Sequence, residues 1–383
     1  MNMEKGDSNA VLKARKGARA DPFSFGEEFV VRVLGSSHGK SVGVEIEGCP
    51  AGVAATAAEI QEQLDRRRPG QSPLTSGRKE EDAVEIESGI KGGKTTGGKI
   101  ACSVKNKDAL PEHYGNLRTT PRPGHADYPS MVKYGAAEPG GGFFSGRMTV
   151  AFVIAGAIAK KYLLQKGVRT QAFAKSIGKV EIGREVSEEE IVKNTYSNPV
   201  RTAATESVQG MVSEVERARD EGDSVGGVVE CRITGLAPGI GQPMFGSIES
   251  AIAKAAFGIP AAKGIEFGSG FAGSALRGSQ NNDEFAIREG KVVTRTNNSG
   301  GILGGLTNGM PVVFRIAFKP TSSIFKPQQS VDLKTMRETT LRIAGRHDPC
   351  IAIRAVPVVE NMAAFAIADV LLAHERGKKG GKT

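Results

Sequence analysis

One long apolar segment constrains the fold of this chain more than any other feature. Residues 148–164 are apolar on nearly every side of a helical projection until Lys160 and Lys161. A helix that is hydrophobic all round is buried, so other elements must cover it on several sides. Its longest apolar run, residues 148–159, is too short to cross a bilayer. The segment therefore predicts a central helix in a globular protein that does not enter a membrane.

Short stretches typical of strands and of helices surround this segment. The strand-like stretches are residues 29–34, 42–46, VVECRI, GIEFG, VVFRIAF and CIAIRAVP. Further helices are predicted after the capping box of Thr56 and Glu59, after Ser187, and over residues 207–221, 249–257 and 359–374. Helices and strands mix without a regular βαβ rhythm, so the sequence predicts the α+β class.

The two ends of the chain differ from the rest in composition. Residues 1–21 and 376–383 are polar and basic, and we expect them to be disordered on either side of one domain over residues 22–375. The N-terminal stretch lacks the apolar core of a signal peptide. The four cysteines are far apart and suggest neither a disulfide framework nor a zinc site. These features predict a cytoplasmic protein with reduced thiols and no metal.

The charge balance predicts an anionic partner. Lys and Arg together number 51 against 42 for Asp and Glu, a net charge of +9. Nucleic acid, a phosphorylated small molecule and an anionic cofactor all fit this excess. Aromatic residues make up only 5% of the chain, and no helix-turn-helix or RNA-binding signature is present.

Two glycine-rich motifs resemble nucleotide-binding loops and fail on spacing or context. In GSSHGKS, starting at Gly35, three residues separate the glycines where the P-loop needs four, and a strand-like stretch follows. GSGFAG, starting at Gly268, matches the dinucleotide pattern, but SALRGSQNND is a poor helix to follow it. We therefore expect neither a nucleoside triphosphatase nor a Rossmann site.

Three of the five histidines lie in polar, glycine-rich loops, where the imidazole is a natural proton carrier near neutral pH. These loops contain His38, His125 and His347. Arginines lie in or near the same loops, and guanidinium groups suit bidentate binding of carboxylate and phosphate. They are Arg66, Arg67, Arg68, Arg122, Arg147 and Arg346, and at least one of the first three is expected to be a solvated helix end. Metal binding is the rival reading of the histidines, and no HxxxH pair supports it.

Over residues 23–373 these motifs together resemble the chorismate synthase family. The matching blocks, in chain order, are GSSHGKSVGVEIEGCPAG, DRRRPGQS, SGIKGGKTTGG, RPGHADY with KYG, AGAIAKKYL, GDSVGG, ALRGSQNNDEF, NNSGGILGGLTNG, KPTSS and GRHDPCIAIRAVP. Their number, length and order make a chance resemblance negligible.

The resemblance implies a βαβ sandwich, with helices packed between two antiparallel sheets, and a homotetramer. It implies a 1,4-anti elimination of the 3-phosphate and a C6 proton from 5-enolpyruvylshikimate 3-phosphate, which gives chorismate. It also implies reduced FMN, although the reaction is redox-neutral overall. An electron-rich flavin offers chemistry that no side chain supplies.

The resemblance also implies roles for individual residues. His38 matches the histidine that protonates the departing phosphate, His125 the one beside the flavin ring, and Asp348 the carboxylate that takes the C6 proton. The other implied catalytic residues are Ser37 and Ser145. The implied flavin-binding residues are Ser145, Ala261, Gly304, Lys319, Pro320, Thr321, Ser322, Ser323 and Arg346. The implied substrate-binding residues are Arg67, Arg122, Arg147 and Arg346.

The chain departs from the family pattern at several positions. They are Ser36, where a glutamate is common, Pro73, where an arginine is often found, the pair Phe143 and Phe144, where Arg-Ser is usual, and Pro260, where asparagine is common. These differences bear on anion and flavin contacts and leave His38, His125, Asp348 and Ser145 intact. A flavin-binding relative without the chemistry and a basic nucleic-acid-binding protein remain as alternatives. Because no credible dinucleotide motif is present, we expect flavin to be reduced by an external partner.

Overall fold

The computed structural model describes residues 21–77, 80–107, 119–137, 139–345 and 347–380. Its helices, in chain order, are α1 (Ala57–Arg67), α2 (Asp127–Tyr134), α3 (Thr149–Gln165), α4 (Glu188–Asn194), α5 (Val208–Asp220), α6 (Ile248–Ala256), α7 (Gly270–Gly273), α8 (Gly278–Asn281) and α9 (Ala352–Gly380). Its strands are β1 (Ser24–Phe25), β2 (Val30–Gly35), β3 (Ser41–Glu47), β4 (Val84–Ser88), β5 (Ile90–Lys91), β6 (Lys94–Thr95), β7 (Ile100–Lys105), β8 (Arg169–Ile177), β9 (Val180–Glu181), β10 (Gly227–Thr234), β11 (Ala262–Phe267), β12 (Phe285–Arg288), β13 (Lys291–Thr294), β14 (Ile302–Leu303), β15 (Leu306–Thr307), β16 (Val312–Phe318), β17 (Gln328–Asp332) and β18 (Arg337–Leu341).

Two five-stranded antiparallel sheets form the frame of the molecule. The first has the order β1-β2-β3-β7-β4 and the second the order β11-β16-β10-β8-β9. In the first, Val44 lies opposite Val33 on β2 and Cys102 on β7. In the second, β10 pairs with β16 on one side and β8 on the other. The remaining strands form two-stranded hairpins.

Helices α3 and α9 pack against each other between the sheets, which confirms the predicted sandwich. Helix α3 contacts β2 and β3 of the first sheet and β8 of the second, and α9 contacts β8 and β10. Their closest approach requires Gly156, because a Cβ there would lie 2.3 Å from the Cβ of Asn361. Burial of α3 is nearly complete, as its uniform hydrophobicity predicted.

Local sequence signals set the ends of several helices. Thr56 accepts from the backbone N–H of Glu59, and the Glu59 carboxylate accepts in return, so the predicted capping box begins α1. Ser187 and Glu190 form the same arrangement at α4. The chain after GSSHGK continues as β3. The end of GSGFAG forms the four-residue α7, and only the four-residue α8 follows it, so neither nucleotide-binding context is present.

Two predictions about the C-terminal region are wrong. CIAIRAVP is not a strand, because α9 already begins at Ala352 and continues through Pro357. Its first two turns are buried on all sides, so no polar stripe reveals the helical period. The helix also extends to Gly380, so the region from Arg376 to that residue is helical and not the expected disordered tail. Residues 1–20 and 381–383 lie outside the described residues.

Two helical segments are long and apolar enough to span a membrane by composition alone. They are Gly146–Gln165 and Ala352–Lys378, and 72% and 83% of their most apolar windows are buried inside the protein. Such burial is typical of core helices.

Candidate active site

A cleft with a volume of about 640 Å³ opens where several loops converge beside the N-terminal ends of α3 and α9. Its walls come from the end of α1, the loop before α2, the segment Pro139–Phe144, the loop after α6, the segment after β16 and the turn before α9. A cleft of this size holds a cofactor or a drug-sized ligand.

Most of the residues predicted to act together line this cleft. They are Arg67, Arg122, His125, Ser145, Arg147, Ala261, Lys319, Pro320, Thr321, Ser322, Ser323 and Asp348. They come from separate parts of the chain, so the fold brings together what the motifs only suggested.

Three predicted residues that the structure describes do not line the cleft. Ser37 and His38 lie one layer back, where Ser37 Oγ is 3.1 Å from His38 Nδ1 and the His38 ring packs against Gly140 of the lining. A Cβ on Gly140 would lie 1.8 Å from His38 Cε1, and its φ of +61° also favours glycine. Gly304 lies in the turn between β14 and β15, apart from the cleft lining. Arg346 lies outside the described residues.

One side of the cleft is built on a buried carboxylate, Asp82, that bridges two arginines. Its Oδ2 accepts from Arg67 Nη1 at 2.8 Å, and its Oδ1 accepts from Arg147 Nη1. Arg67 also donates to Thr149 Oγ1 at 3.1 Å and to the carbonyl of Gly146 at 2.9 Å. These bonds fix both guanidinium groups at the start of α3.

The charges in this cluster perturb one another strongly. Burial alone would raise the pKa of Asp82, but Arg67 and Arg147 outweigh it and hold that pKa below its ordinary value. Burial, together with the neighbouring cations Arg354 and Arg147, lowers the pKa of Arg67 to about 9 although Asp82 opposes the shift. Arg147 additionally forms an ion pair with Glu80 at 3.3 Å.

The opposite side is built on a second buried carboxylate, Asp127 at the start of α2. Its oxygens accept from Arg122 Nε at 2.7 Å and Arg122 Nη2 at 2.8 Å, a bidentate pair. Its Oδ1 also lies 2.6 Å from His125 Nδ1. Burial would raise the pKa of Asp127, but hydrogen bonds from Arg122 and His125 hold it well below its ordinary value.

This contact orients the imidazole of His125. The same nitrogen, Nδ1, lies 3.1 Å from Arg122 Nη2, a longer contact than that with Asp127. A carboxylate can only accept, so in the shorter contact Nδ1 donates, and Nε2 is left to act toward the cleft. The Nε2 edge lies beside Gly141, where a Cβ would be 3.2 Å away, and that position is also near Ser145. Ser145 Oγ accepts from the backbone N–H of Arg147 at 3.2 Å.

A cation and several hydroxyl groups form the end of the cleft next to Arg122. Lys319 Nζ donates to Ser322 Oγ at 2.7 Å and to the carbonyl of Gly124. Arg122 Nη1 donates to Ser323 Oγ at 3.2 Å. Burial, and to a lesser degree the nearby Lys263, lowers the pKa of Lys319. The segment after β16 and the loop before α2 therefore form one cationic unit.

Asp348 is held from two directions at the mouth of the cleft. Its Oδ1 accepts from the backbone N–H of Ser76 at 2.7 Å, and its Oδ2 accepts from Arg354 Nη1 at 2.6 Å. Arg354 is anchored in turn to the carbonyl of Arg67 at 3.1 Å. Each carboxylate oxygen keeps a second lone pair, so Asp348 can still accept a proton or a hydrogen bond.

The departures from the family pattern are located as follows. Phe143, Phe144 and Pro260 line the cleft, so the chain presents apolar surface at these positions. Phe143 packs against Phe23 with ring centroids 5.0 Å apart. Ser36 is buried, and the carbonyl of Pro73 accepts from Arg219 at 3.4 Å. Ala261, which follows Pro260, has a φ of +71°, a strained conformation for a residue with a side chain.

Sequence reasoning missed four charged residues of the site. They are Glu80, Asp82, Lys263 and Arg354. Arg354 lies in the block GRHDPCIAIRAVP, but nothing in that block marks it as a partner of Asp348. The other three lie outside the quoted blocks, and an ion pair across a long separation, such as Asp82 with Arg147, leaves no local pattern. Asp127 was noticed only as a neighbour of His125 in the loop sequence; the spacing of Arg, His and Asp was the available signal.

Comparison with known proteins gives a consistent result. The family model described as chorismate synthase matches residues 29–372. Proteins named chorismate synthase from Thermococcus kodakarensis and Korarchaeum cryptofilum are 50% and 46% identical over 89% and 92% of this chain, covering 95% and 98% of their own lengths.

A solved structure titled "Crystal Structure of Chorismate Synthase" superimposes with a TM-score of 0.72 at 28% identity. The match covers 92% of this chain and 96% of that one. Sequence, fold and cleft agree: the chain belongs to the chorismate synthase family.

Proposed function

We propose that this protein is a chorismate synthase, which converts 5-enolpyruvylshikimate 3-phosphate to chorismate and inorganic phosphate. The reaction breaks the C3–O bond to phosphate and removes one proton from C6, so that a second double bond forms. The observation that carries the proposal is that one cleft holds four arginines, the imidazole of His125 and the carboxylate of Asp348.

The arginines suit a substrate with a phosphate and two carboxylates. Arg67 and Arg147 are fixed by Asp82, and Arg122 by Asp127, so little ordering remains to be done when an anion binds. Cations that are fixed before binding also stabilise the charge that develops on a departing phosphate. These groups supply the binding and part of the leaving-group stabilisation.

His125 and Asp348 are suited to proton handling. Asp127 sets the tautomer of His125, so Nε2 holds or releases a proton at a defined place. Asp348 keeps a lone pair on each oxygen and acts as the acceptor of the C6 proton. His38 lies behind Gly140 and delivers a proton to the departing phosphate, as the resemblance implies.

The cleft residues fit reduced FMN as the cofactor. Lys319, Ser322 and Ser323 offer a cation and hydroxyl donors to a phosphate. Thr321 Oγ1 is buried without a hydrogen-bond partner in the described part of the chain, so this hydroxyl is available to donate to a ligand. Ile259, Pro260 and Ala261 offer an apolar wall to a ring. Bound there, reduced flavin supplies the electron-rich system that stabilises electron-deficient character in the substrate.

Exposed apolar side chains support a homotetramer. Met244 and Phe245 are 84% and 96% exposed, and Phe271 is 82% exposed. The hairpin of β12 and β13 adds Phe285 and Ile287. Exposed apolar side chains of this size are candidates for contacts between subunits. We further propose that the enzyme acts in the cytoplasm with flavin reduced by a separate protein.

The proposed function is tested by anaerobic turnover. Purified protein, substrate and chemically reduced FMN are expected to yield chorismate and phosphate in equal amounts. With oxidised FMN and NADPH alone, no chorismate is expected until a flavin reductase is added. Absence of chorismate with reduced FMN would contradict the function, whereas steady turnover with NADPH alone would contradict only the external reductant.

A further inference from the structure

A second, smaller cavity lies behind the cleft, between the end of α1 and the segment that follows α4. Its volume is about 260 Å³. Arg66, Arg201 and Arg354 all contribute to its walls, together with hydroxyl groups such as that of Ser72. This volume is smaller than that of typical drug-sized pockets and suits a compact ion.

Two of these arginines share one aromatic ring. The guanidinium carbons of Arg66 and Arg201 lie 4.3 and 5.1 Å from the centre of the Tyr196 ring. The Tyr196 hydroxyl is fixed by a hydrogen bond of 3.1 Å to the buried carboxylate of Glu360. The ring thus holds two like charges close together in a fixed place.

The local charges are poorly compensated. Among the described residues Arg66 forms an ion pair only with Glu62, which is 62% exposed. Arg201 forms no ion pair there; its guanidinium donates to the Gln71 side-chain carbonyl and, at 3.3 Å, to the carbonyl of Tyr196, and it lies over the Tyr196 ring. Burial and the nearby Arg66 lower the pKa of Arg201, which indicates that its charge is unfavourable without an anion. Arg201 also has a φ of +59°, a strained backbone conformation of the kind that is often found at functional sites.

We propose that this cavity is a second anion site, which binds a small oxyanion of the size of inorganic phosphate between Arg66 and Arg201. Planar guanidinium groups match the geometry of phosphate oxygens. The Ser72 hydroxyl accepts from the backbone N–H of Leu74 at 3.3 Å and keeps its own proton for a ligand.

Arg354 connects this cavity to the active cleft, since it lines both. Its Nη1 donates to Asp348, and its Nη2 has no partner within the described residues. An oxyanion that binds Nη2 pulls on the same guanidinium group whose Nη1 orients Asp348. Phosphate bound here therefore slows turnover without competing with substrate, an inference that rests on the proposed function.

The first test locates the site without measuring activity. Crystals of the full chain soaked in selenate are expected to show an anomalous peak between Arg66 and Arg201. In solution, calorimetric titration measures the affinity of this site for inorganic phosphate. In Arg66→Gln that affinity is expected to be about tenfold weaker or more, the scale of one charge-assisted hydrogen bond, so that the binding event disappears from the titration. Lys319→Gln, in the main cleft, is expected to keep that event.

Arg68→Gln is the matched control, because Arg68 is two residues from Arg66, is 42% exposed and does not line the cavity. Arg201→Gln is the second variant and is expected to behave as Arg66→Gln does. Equal phosphate affinity in wild type, Arg66→Gln and Arg68→Gln, or no selenate peak in this cavity, would overturn the site.

The kinetic test addresses the connection. Inhibition by phosphate that excess substrate does not relieve is expected in wild type and Arg68→Gln and is expected to be lost in Arg66→Gln. Inhibition that is unchanged in Arg66→Gln would overturn the connection. A chain that binds selenate here but forms no chorismate would refute the proposed function and leave the site standing.

Discussion

The two sides of the active cleft are each organised by a buried aspartate, but they suit different chemical tasks. On each side one buried aspartate accepts hydrogen bonds from two side chains: Asp82 from Arg67 and Arg147, and Asp127 from Arg122 and His125. Asp82 is fully buried and both of its partners are at most 6% exposed. His125 on the other side is 18% exposed.

The difference lies in which partner can change its charge. Both partners of Asp82 are guanidinium groups, which stay charged at neutral pH, so the charges on that side are fixed. Asp127 holds one permanent cation and one imidazole, the side-chain type that most often carries protons in catalysis. The first side therefore suits binding, and the second suits proton transfer. Four substitutions test this division.

The largest effect is expected from Asp82→Asn. The neutral amide leaves the buried guanidinium group of Arg67 without an ion pair among the described residues and leaves Arg147 with Glu80 alone, which costs about 3–5 kcal/mol of unfolding free energy. Denaturant unfolding measures this loss. Glu81→Gln is the control, because its ion pair with Lys107 is exposed, and no measurable change is expected there. Equal stability of Asp82→Asn and wild type would show that the arginines need no buried anion.

The next effect is expected from His125→Ala, which removes the proton carrier and leaves the Asp127–Arg122 pair intact. Turnover is expected to fall by about 10²-fold or more, the usual scale for general acid–base groups. Turnover of His38→Ala is expected to fall by a similar factor. His374→Ala, on the outer part of α9, serves as control and should keep wild-type turnover. Similar losses in all three would mean that the assay reports folding and not proton transfer.

A smaller effect is expected from Asp127→Asn, since its amide oxygen still accepts from Arg122. At neutral pH the loss is about 1.5–3 kcal/mol, the value of a hydrogen bond to a charged group. The folded-state pKa of Asp127 is depressed, so its contribution is complete above the ordinary value of about 3.9 and is lost as pH falls further. Unfolding curves at several pH values should show a constant gap to wild type from pH 7 to 5 and a narrowing gap below about pH 4. Narrowing between pH 7 and 5 would assign the effect to another group.

The smallest effect is expected from Ser323→Ala, which removes one neutral acceptor of Arg122. FMN affinity is expected to weaken by about 0.5–1.5 kcal/mol, the net value of a typical hydrogen bond. Titration of FMN fluorescence measures it, with the exposed Ser274→Ala as control. A loss as large as that in Lys319→Gln would show that the hydroxyl contributes as much as the cation.

Much of the frame was predictable because its signals are local. The capping residues Thr56 and Glu59 set the start of α1 as the sequence indicated, and the apolar segment over residues 148–164 became the buried central helix. The loops around His125 and Asp348 were identified from residue types that are dense in donors and charges. Such signals depend on residues that are close together in the chain, so they can be recognised from the sequence alone.

The sequence by itself thus determined the fold class and the family, and it identified twelve of the residues that line the cleft. Only the tertiary structure decided which charges pair, since Asp82 meets Arg147 across 65 positions and no pattern in either segment requires it. It also decided that residues 352–357 are helical, because burial on every side removes the polar face that would reveal the period. Long-range pairing depends on the packing of α3 and α9 between the two sheets, and that packing energy is a property of the whole chain and not of any segment.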